Sequence, residues 1–377
     1  MNIRQIITHN LENIPGWRSR RHIVVFESDD WGSLRMPSQD AYHKLFDYGI
    51  RVDKCHYCMN DSLATEEDLS RLFEVLCSVK DQKGKPAILT ANVVVANPDF
   101  ERIRSCNFEQ YFYRTILEDI PNHHGCEHSL DLWQEGNQKG FFVLQSHGRE
   151  HLNVNRWMQY LRGNYPETRF AFSLGVYGIS KTISSEKRKT FLAAFDFENQ
   201  EEEAIVNGIA SEGLDIFERL FGFRSKSFIA PNYTWGRSLE ETLKQGGVSY
   251  LQGRLISKYV RSGNKQEKNR LRYIGRKNNL GQIDLCRNSI FEPSSDRSND
   301  WVDSCLSDME IAFRWRHPAI ISVHRVNFIS SLNVSNRDDN LKLFGCLLKE
   351  IVKKWPDVEF MSSDQLGDLI AKGPNHD

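Results

Sequence analysis

A chain of 377 residues with 49 Lys and Arg against 50 Asp and Glu carries a formal net charge of -1. No long block of one sign forms a basic stripe, which argues against a nucleic-acid partner. The length leaves room for a large core and suits an α/β barrel with insertions, while no window approaches the ~20 apolar residues of a membrane span. Residues 1–21 lack the basic-then-apolar order of a secretory signal, and the 8 cysteines are scattered, so the expected location is the cytoplasm. Aromatic residues are plentiful, with 8 Trp, and suit either core packing or stacking on sugar rings.

In chain order, apolar strand candidates fall at 23–26, 87–95, 141–144, 170–174, 227–230, 249–252, 319–323 and 358–361. One-sided helical patterns lie between them at 66–79, 153–162, 201–221, 238–245, 301–315 and 340–354. Thr65 before Glu66 and Asp68 reads as an N-cap, and Gly222 as a helix terminator. Strands alternating with helices predict a parallel sheet, open or closed. Two polar stretches, near 175–200 and 258–281, read as surface excursions, of the kind that carries substrate contacts when it borders a site. The whole of 1–377 reads as one domain.

Chemistry concentrates just past the strands. Ile23-Val24-Val25 is β-branched, as in a buried parallel strand, and runs into Asp29 and Asp30. The run at 141–144 leads to His147 and His151, a spacing that one helical turn would place on one face to grip a metal. Pro231, Asn232 and Tyr233 follow the strand at 227–230, and His324 follows that at 319–323. One carboxylate and two imidazoles at a sheet's carboxyl edge suit a divalent ion, most naturally Zn²⁺, leaving the second carboxylate free as a base. By contrast, Cys55-His56-Tyr57-Cys58 lacks a second CxxC pair, and the histidines at 123, 124 and 128 lack a strand end, so both read as loops.

At these residues the chain resembles the polysaccharide deacetylase (NodB-homology, carbohydrate esterase family four) superfamily, over about residues 23–370. Asp29-Asp30 match its first motif and His147 with His151 its second. Ile229-Ala230-Pro231-Asn232 match the third only in part, His324 matches the final catalytic histidine, and 360–366 matches the last strand-to-helix turn. The resemblance implies an irregular (β/α) barrel of about seven strands, with Asp30, His147 and His151 on the metal, Asp29 as general base and His324 as general acid. It implies removal of an acyl group, most naturally N-acetyl, from an amino sugar or glycan.

The family's third-motif Arg is replaced here by Ile229, and its Tyr by Asn232 with Tyr233 one position late. Arg149 or Arg325 are the alternatives for the missing charge, and Glu27 is the alternative base. Asp284, Asp296 and Asp300 are alternatives for the partner of His324. Trp31, Pro231, Asn232, Tyr233 and Trp235 are expected to line the substrate pocket. Two other functions remain open: hydrolysis of a non-carbohydrate C–N bond on the same scaffold, and a catalytically silent carbohydrate-binding homologue.

Overall fold

The computed structural model describes residues 3–260 and 268–373. One nine-stranded sheet organises it, built from β1 (Ile23–Trp31), β2 (Leu89–Val93), β3 (Phe142–Ser146), β4 (Ser227–Phe228), β5 (Tyr250–Gly253), β6 (Ile283–Cys286), β7 (Ser289–Ile290), β8 (Ala319–His324) and β9 (Glu359–Phe360). The order is β6-β5-β4-β3-β2-β1-β8-β7, with β9 beside the start of β1, and every pairing is parallel. The two ends of this order are one continuous stretch of chain. After β6 leaves β5, the Arg287 amide still bonds Gly253 O at 2.9 Å, and the next amide, Asn288, bonds Ile320 O on β8 at 3.0 Å. The segment thus changes partner within two residues and curls the sheet into an irregular barrel with seven positions around the ring.

Alternation along β1 sets what lies inside. Val24 and Phe26 face outward into the largest apolar cluster, against Leu69, Leu72 and Leu76 of helix Glu66–Cys77 and Phe344, Leu347 and Leu348 of helix Val334–Lys354. Ile23 and Val25 face inward, with Tyr250, Leu285 and Ile320. The closing helix Ser363–Ala371 seals that end with Leu366 and Ile370, its Gly367 so close to the Tyr250 ring that a Cβ would sit 2.4 Å from it. Each such side chain contributes about 1.5–3 kcal/mol on burial. Two and four residues beyond Val25 the same inward face turns polar, at Glu27 and Asp29. The barrel therefore has an apolar floor and an ionic upper layer.

Local signals behave as their chemistry requires. Thr65 accepts from the Asp68 amide at 3.1 Å while Asp68 accepts from the Thr65 amide at 3.0 Å, and Gly222 ends helix Gln200–Phe221 at φ 78°. The strand expected at 170–174 is instead part of helix Pro166–Ser173, where Pro166 supplies a preorganised first turn. The stretch 175–200 is a surface excursion only over about 180–190, because Val176, Tyr177 and Ile179 before it and Phe191, Phe195 and Phe197 after it are buried. The second excursion contains the antiparallel pair Ile256–Val260 and Lys268–Leu271, and its residues 261–267 lie outside the described residues, as do 1–2 and 374–377. No helix among the described residues is long and apolar enough to cross a membrane.

Candidate metal centre and active site

Asp30 sits where β1 breaks its register with β2, between Ser28 and Trp31, and it adopts φ 75°. A left-handed non-glycine residue in a bulge is costly and is tolerated where the surrounding structure holds it. Here it turns the carboxylate next to Asp29 toward the carboxyl end of the barrel. His147 and His151 reach the same point from the end of β3, but not by the expected helical turn. They lie in a loop, with Gly148 at φ 105°.

Asp30 Oδ1 lies 3.4 Å from His147 Nε2 and 3.3 Å from His151 Nε2, and one ligand atom from each residue falls within 4.8 Å of the others. His147 Nδ1 bonds Ile229 O at 2.8 Å, so that nitrogen carries the proton and Nε2 presents its lone pair. Asp30 Oδ1 and His147 Nε2 are buried without a hydrogen-bond partner among the described residues. Two buried acceptors facing each other repel, and a cation between them removes the conflict.

Protonation fits the same need. Burial lowers the His151 pKa, and although Asp30 opposes this, it falls to about 3, leaving a neutral imidazole. Burial favours the neutral form of Asp30, but Arg35 and His151 hold its pKa well below the usual carboxylate range. Arg35 bonds Asp30 Oδ2 at 3.0 Å, occupying one oxygen and leaving the other toward the histidines. Behind it, Asp61 lies 3.5 Å from Arg35 Nε and accepts from Arg325 at 2.8 Å.

The parallel register of β1 on β8 places Asp29 directly beside His324, with Asp29 Oδ2 3.7 Å from His324 Nε2. Asp29 is gripped through both oxygens by Arg287, at 2.6 and 2.7 Å, and accepts from Asn92 at 2.8 Å. The same guanidinium bonds Glu27 at 2.7 Å and the Tyr233 hydroxyl at 3.0 Å. Burial pushes the Asp29 pKa up, yet Arg287 outweighs it and brings it to about 2. Glu27, buried within the barrel, has its pKa raised by burial despite Arg287, and it also accepts from Ser363 at 2.8 Å.

Several sequence expectations are corrected here. The charge missing at Ile229 comes from Arg287, whereas Arg149 pairs with Glu150 and Glu212, and Arg325 with Asp61. His324 Nδ1 pairs with Glu292, which in turn accepts from Asn327 at 2.7 Å. Asp284 pairs with Arg272, and Asp296 and Asp300 are exposed. Glu27 lies below Asp29, away from the cleft, so it does not present itself as a base.

A cleft of about 500 Å³ opens over these groups. Asp29, Asp30, His147, His151, His324, Asn232 and Tyr233 line it, joined by Tyr57 and by Ser180 to Thr182 of the first excursion. Asn232 and Tyr233 both adopt left-handed backbone, at φ 57° and 53°, which brings the Tyr233 hydroxyl to Arg287. Trp31, Trp235 and Pro231 do not line the cleft. The bulge at Asp30 turns Trp31 outward onto Trp133 and Phe142, and Trp235 is buried between Arg272 and the cluster containing Phe197. The Cys55-His56-Tyr57 segment, read as a plain loop, also reaches the cleft wall.

Burial alone lowers the His324 pKa, but Glu292, Asp29 and Asp30 together raise it to about 10, so the imidazole is protonated at neutral pH. A raised histidine pKa stabilises the fold fully below the free value and loses that contribution as pH rises through about 10. If His324 acts as an acid, the alkaline limb of kcat/KM falls near that pH. Glu292→Gln should move this limb down by about one to two pH units, and a limb left in place would detach Glu292 from the titration.

No protein-family model matches the sequence, and no curated protein matches it in sequence. Solved structures match in fold. The putative glycoside hydrolase/deacetylase of Parabacteroides distasonis is 9% identical at a TM-score of 0.50, covering 96% of this chain and 73% of that one. A putative polysaccharide deacetylase from Mycobacterium smegmatis is 10% identical at a TM-score of 0.43, covering 95% and 93%. The 4-alpha-glucanotransferase of Thermococcus litoralis is 8% identical at 0.42, covering 92% of this chain, which spans only 40% of that protein. At such identities the likeness establishes the fold, an irregular (β/α) barrel of the type seen in the Parabacteroides protein.

Proposed function

We propose that the protein is a metal-dependent hydrolase that removes an acyl group, specifically N-acetyl, from an amino sugar or glycan. The observation that carries this reading is the convergence of Asp30, His147 and His151 around the unsatisfied Asp30 Oδ1 and His147 Nε2, beside the Asp29 and His324 pair. A divalent cation at those ligands would lower the pKa of a water and polarise an acyl oxygen, and imidazole with carboxylate donors suits zinc.

Asp29, ionised at neutral pH and fixed through both oxygens by Arg287, is the general base that takes the proton of the attacking water. His324, protonated against Glu292, stands on the neighbouring strand as the general acid. An amide nitrogen leaves poorly until it is protonated, so the acid matters more for N-deacetylation than for an ester. Tyr57, Tyr233 and Asn232 line the cleft and offer aromatic and amide surface to a sugar, with Arg35 and Arg254 each covering one face of a tyrosine ring. A cytoplasmic location belongs to the same reading and is supported by eight free cysteines.

Metal analysis of the purified protein, paired with acetate release from N-acetylhexosamine compounds, tests site and reaction together. Bound zinc, acetate release, loss of activity with a chelator and its return with zinc are expected. Full activity in cation-free protein would sink the reading, and turnover of cyclic amides in place of amino sugars would move it to the non-carbohydrate C–N alternative.

A further inference from the structure

Among the described residues, the charge lining the cleft is mostly cationic. Its two acidic residues, Asp29 and Asp30, are already matched by Arg287 and Arg35. Three lysines line the same cleft from three separate segments: Lys54 from the turn Val52–Lys54, Lys181 from the first excursion, and Lys258 from strand Ile256–Val260. All three are exposed. Lys54 has only a 4.0 Å contact with Asp53, whose carboxylate is held by Arg51 at 2.8 and 2.6 Å, and Lys181 has no carboxylate partner among the described residues. Around Lys181, Ser180 and Thr182 bring their hydroxyls 2.9 Å apart, and both residues line the cleft.

A wall of this composition is poorly explained by a neutral glycan, which offers Lys54 and Lys181 nothing to neutralise. We propose that the cleft binds an amino sugar carrying a phosphate, as a sugar phosphate or a diphosphate-linked sugar, with Lys54 and Lys181 around the phosphate and the acyl group at the Asp29 and His324 pair. The proposal rests on the deacetylase reading of the site for the position of the acyl group, but not for the recognition of phosphate.

Phosphate is favoured over carboxylate by the kind of cation present. Planar carboxylates are best matched by the two-pronged guanidinium, and the cleft's Arg35 is already committed to Asp30. Lysine acts as a compact point charge, and with neighbouring hydroxyl donors it suits the several oxygens of a phosphate. Exposed lysines are screened by salt, so the preference should weaken as ionic strength rises.

The test compares acetate release by the full chain from N-acetylglucosamine, N-acetylglucosamine 1-phosphate, a nucleoside-diphosphate N-acetylglucosamine, a detergent-dispersed polyprenyl-diphosphate N-acetylglucosamine, and a glucuronate-containing N-acetylated disaccharide. A phosphorylated compound should exceed the neutral sugar in kcat/KM by about tenfold or more at low salt. Whichever of the soluble and lipid-linked arms is fastest identifies the source of the phosphate. Lys181→Ala should cut the phosphorylated-to-neutral ratio about three- to tenfold, while Lys181→Arg keeps most of it. Calorimetric binding of N-acetylglucosamine 1-phosphate against N-acetylglucosamine reads recognition without turnover, so a protein that releases no acetate yet binds the phosphate more tightly would overturn the deacetylase reading and keep this one. Equal kcat/KM and equal binding for phosphorylated and neutral sugars would overturn the proposal, as would a preference for the glucuronate compound or a ratio indifferent to Lys181.

Discussion

His147→Ala is expected to yield a folded protein that retains no cation and releases acetate at least ~10³-fold more slowly than the unsubstituted chain. The side chain supplies one of three convergent atoms, and its other nitrogen is spent on Ile229 O. Removing it leaves Asp30 and His151, too few donors to compete with water for a divalent ion. Metal content by plasma emission and circular dichroism on the same sample separate this outcome from unfolding. Full zinc occupancy with native activity would show that the three groups do not share an ion. Asp29→Asn, whose side chain bonds Arg287 and Asn92 rather than a proposed ligand, should instead keep the cation and lose turnover, so the two variants divide binding from proton transfer.

Arg287→Met carries the second large effect, this time on stability as well as rate. The guanidinium bonds Glu27 at 2.7 Å and Asp29 at 2.6 and 2.7 Å, and all three groups are buried. Without it, two carboxylates face each other inside the barrel, and stripping the partner from a buried pair costs about 3–5 kcal/mol. The Asp29 pKa lies near 2 in the folded chain, so its contribution to stability is present above the ordinary carboxylate value and is lost as pH falls through about 2. In Arg287→Met that pKa should rise, the contribution at neutral pH should vanish, and the base should become protonated. Denaturant unfolding should show the loss, and Glu27→Gln in the same chain should return part of it, because one of the two orphaned acids is then neutral. A fully stable Arg287→Met protein with normal kcat would remove the arginine from both roles.

The parts of the site that were legible in the sequence are those fixed by strand ends. Asp29, Asp30, His147 and His324 each follow an apolar run, and parallel strands deliver such residues to one rim whatever their distance along the chain. The seven-position barrel follows from the same alternation of strands and helices. Arg287 obeyed the rule too, following Ile283-Asp284-Leu285-Cys286, but an acid inside so short an apolar run hides the strand. Glu292 was not legible, because it reaches His324 from the irregular chain after β7 and no periodicity marks it. Trp31 misled for a definite reason: two residues past Asp29 it should share the inward face, and the bulge at Asp30 reverses that face by inserting one residue. The run at 170–174 misled because a short apolar stretch has no period of its own, and only Pro166 upstream marks a helix start.

The register that seats Asp29 beside His324 has a consequence for how the molecule comes into being. All three proposed cation ligands are made by residue 151, whereas the arginine clamp, the imidazole donor and its glutamate arrive only with residues 287–324. β1 waits between an early neighbour, β2, and a late one, β8. Pairings so remote along the chain form slowly. A nascent or truncated polypeptide can therefore possess all three proposed cation ligands while lacking the arginine clamp, the imidazole donor and its glutamate, so the proposed chemistry waits on chain made after residue 286.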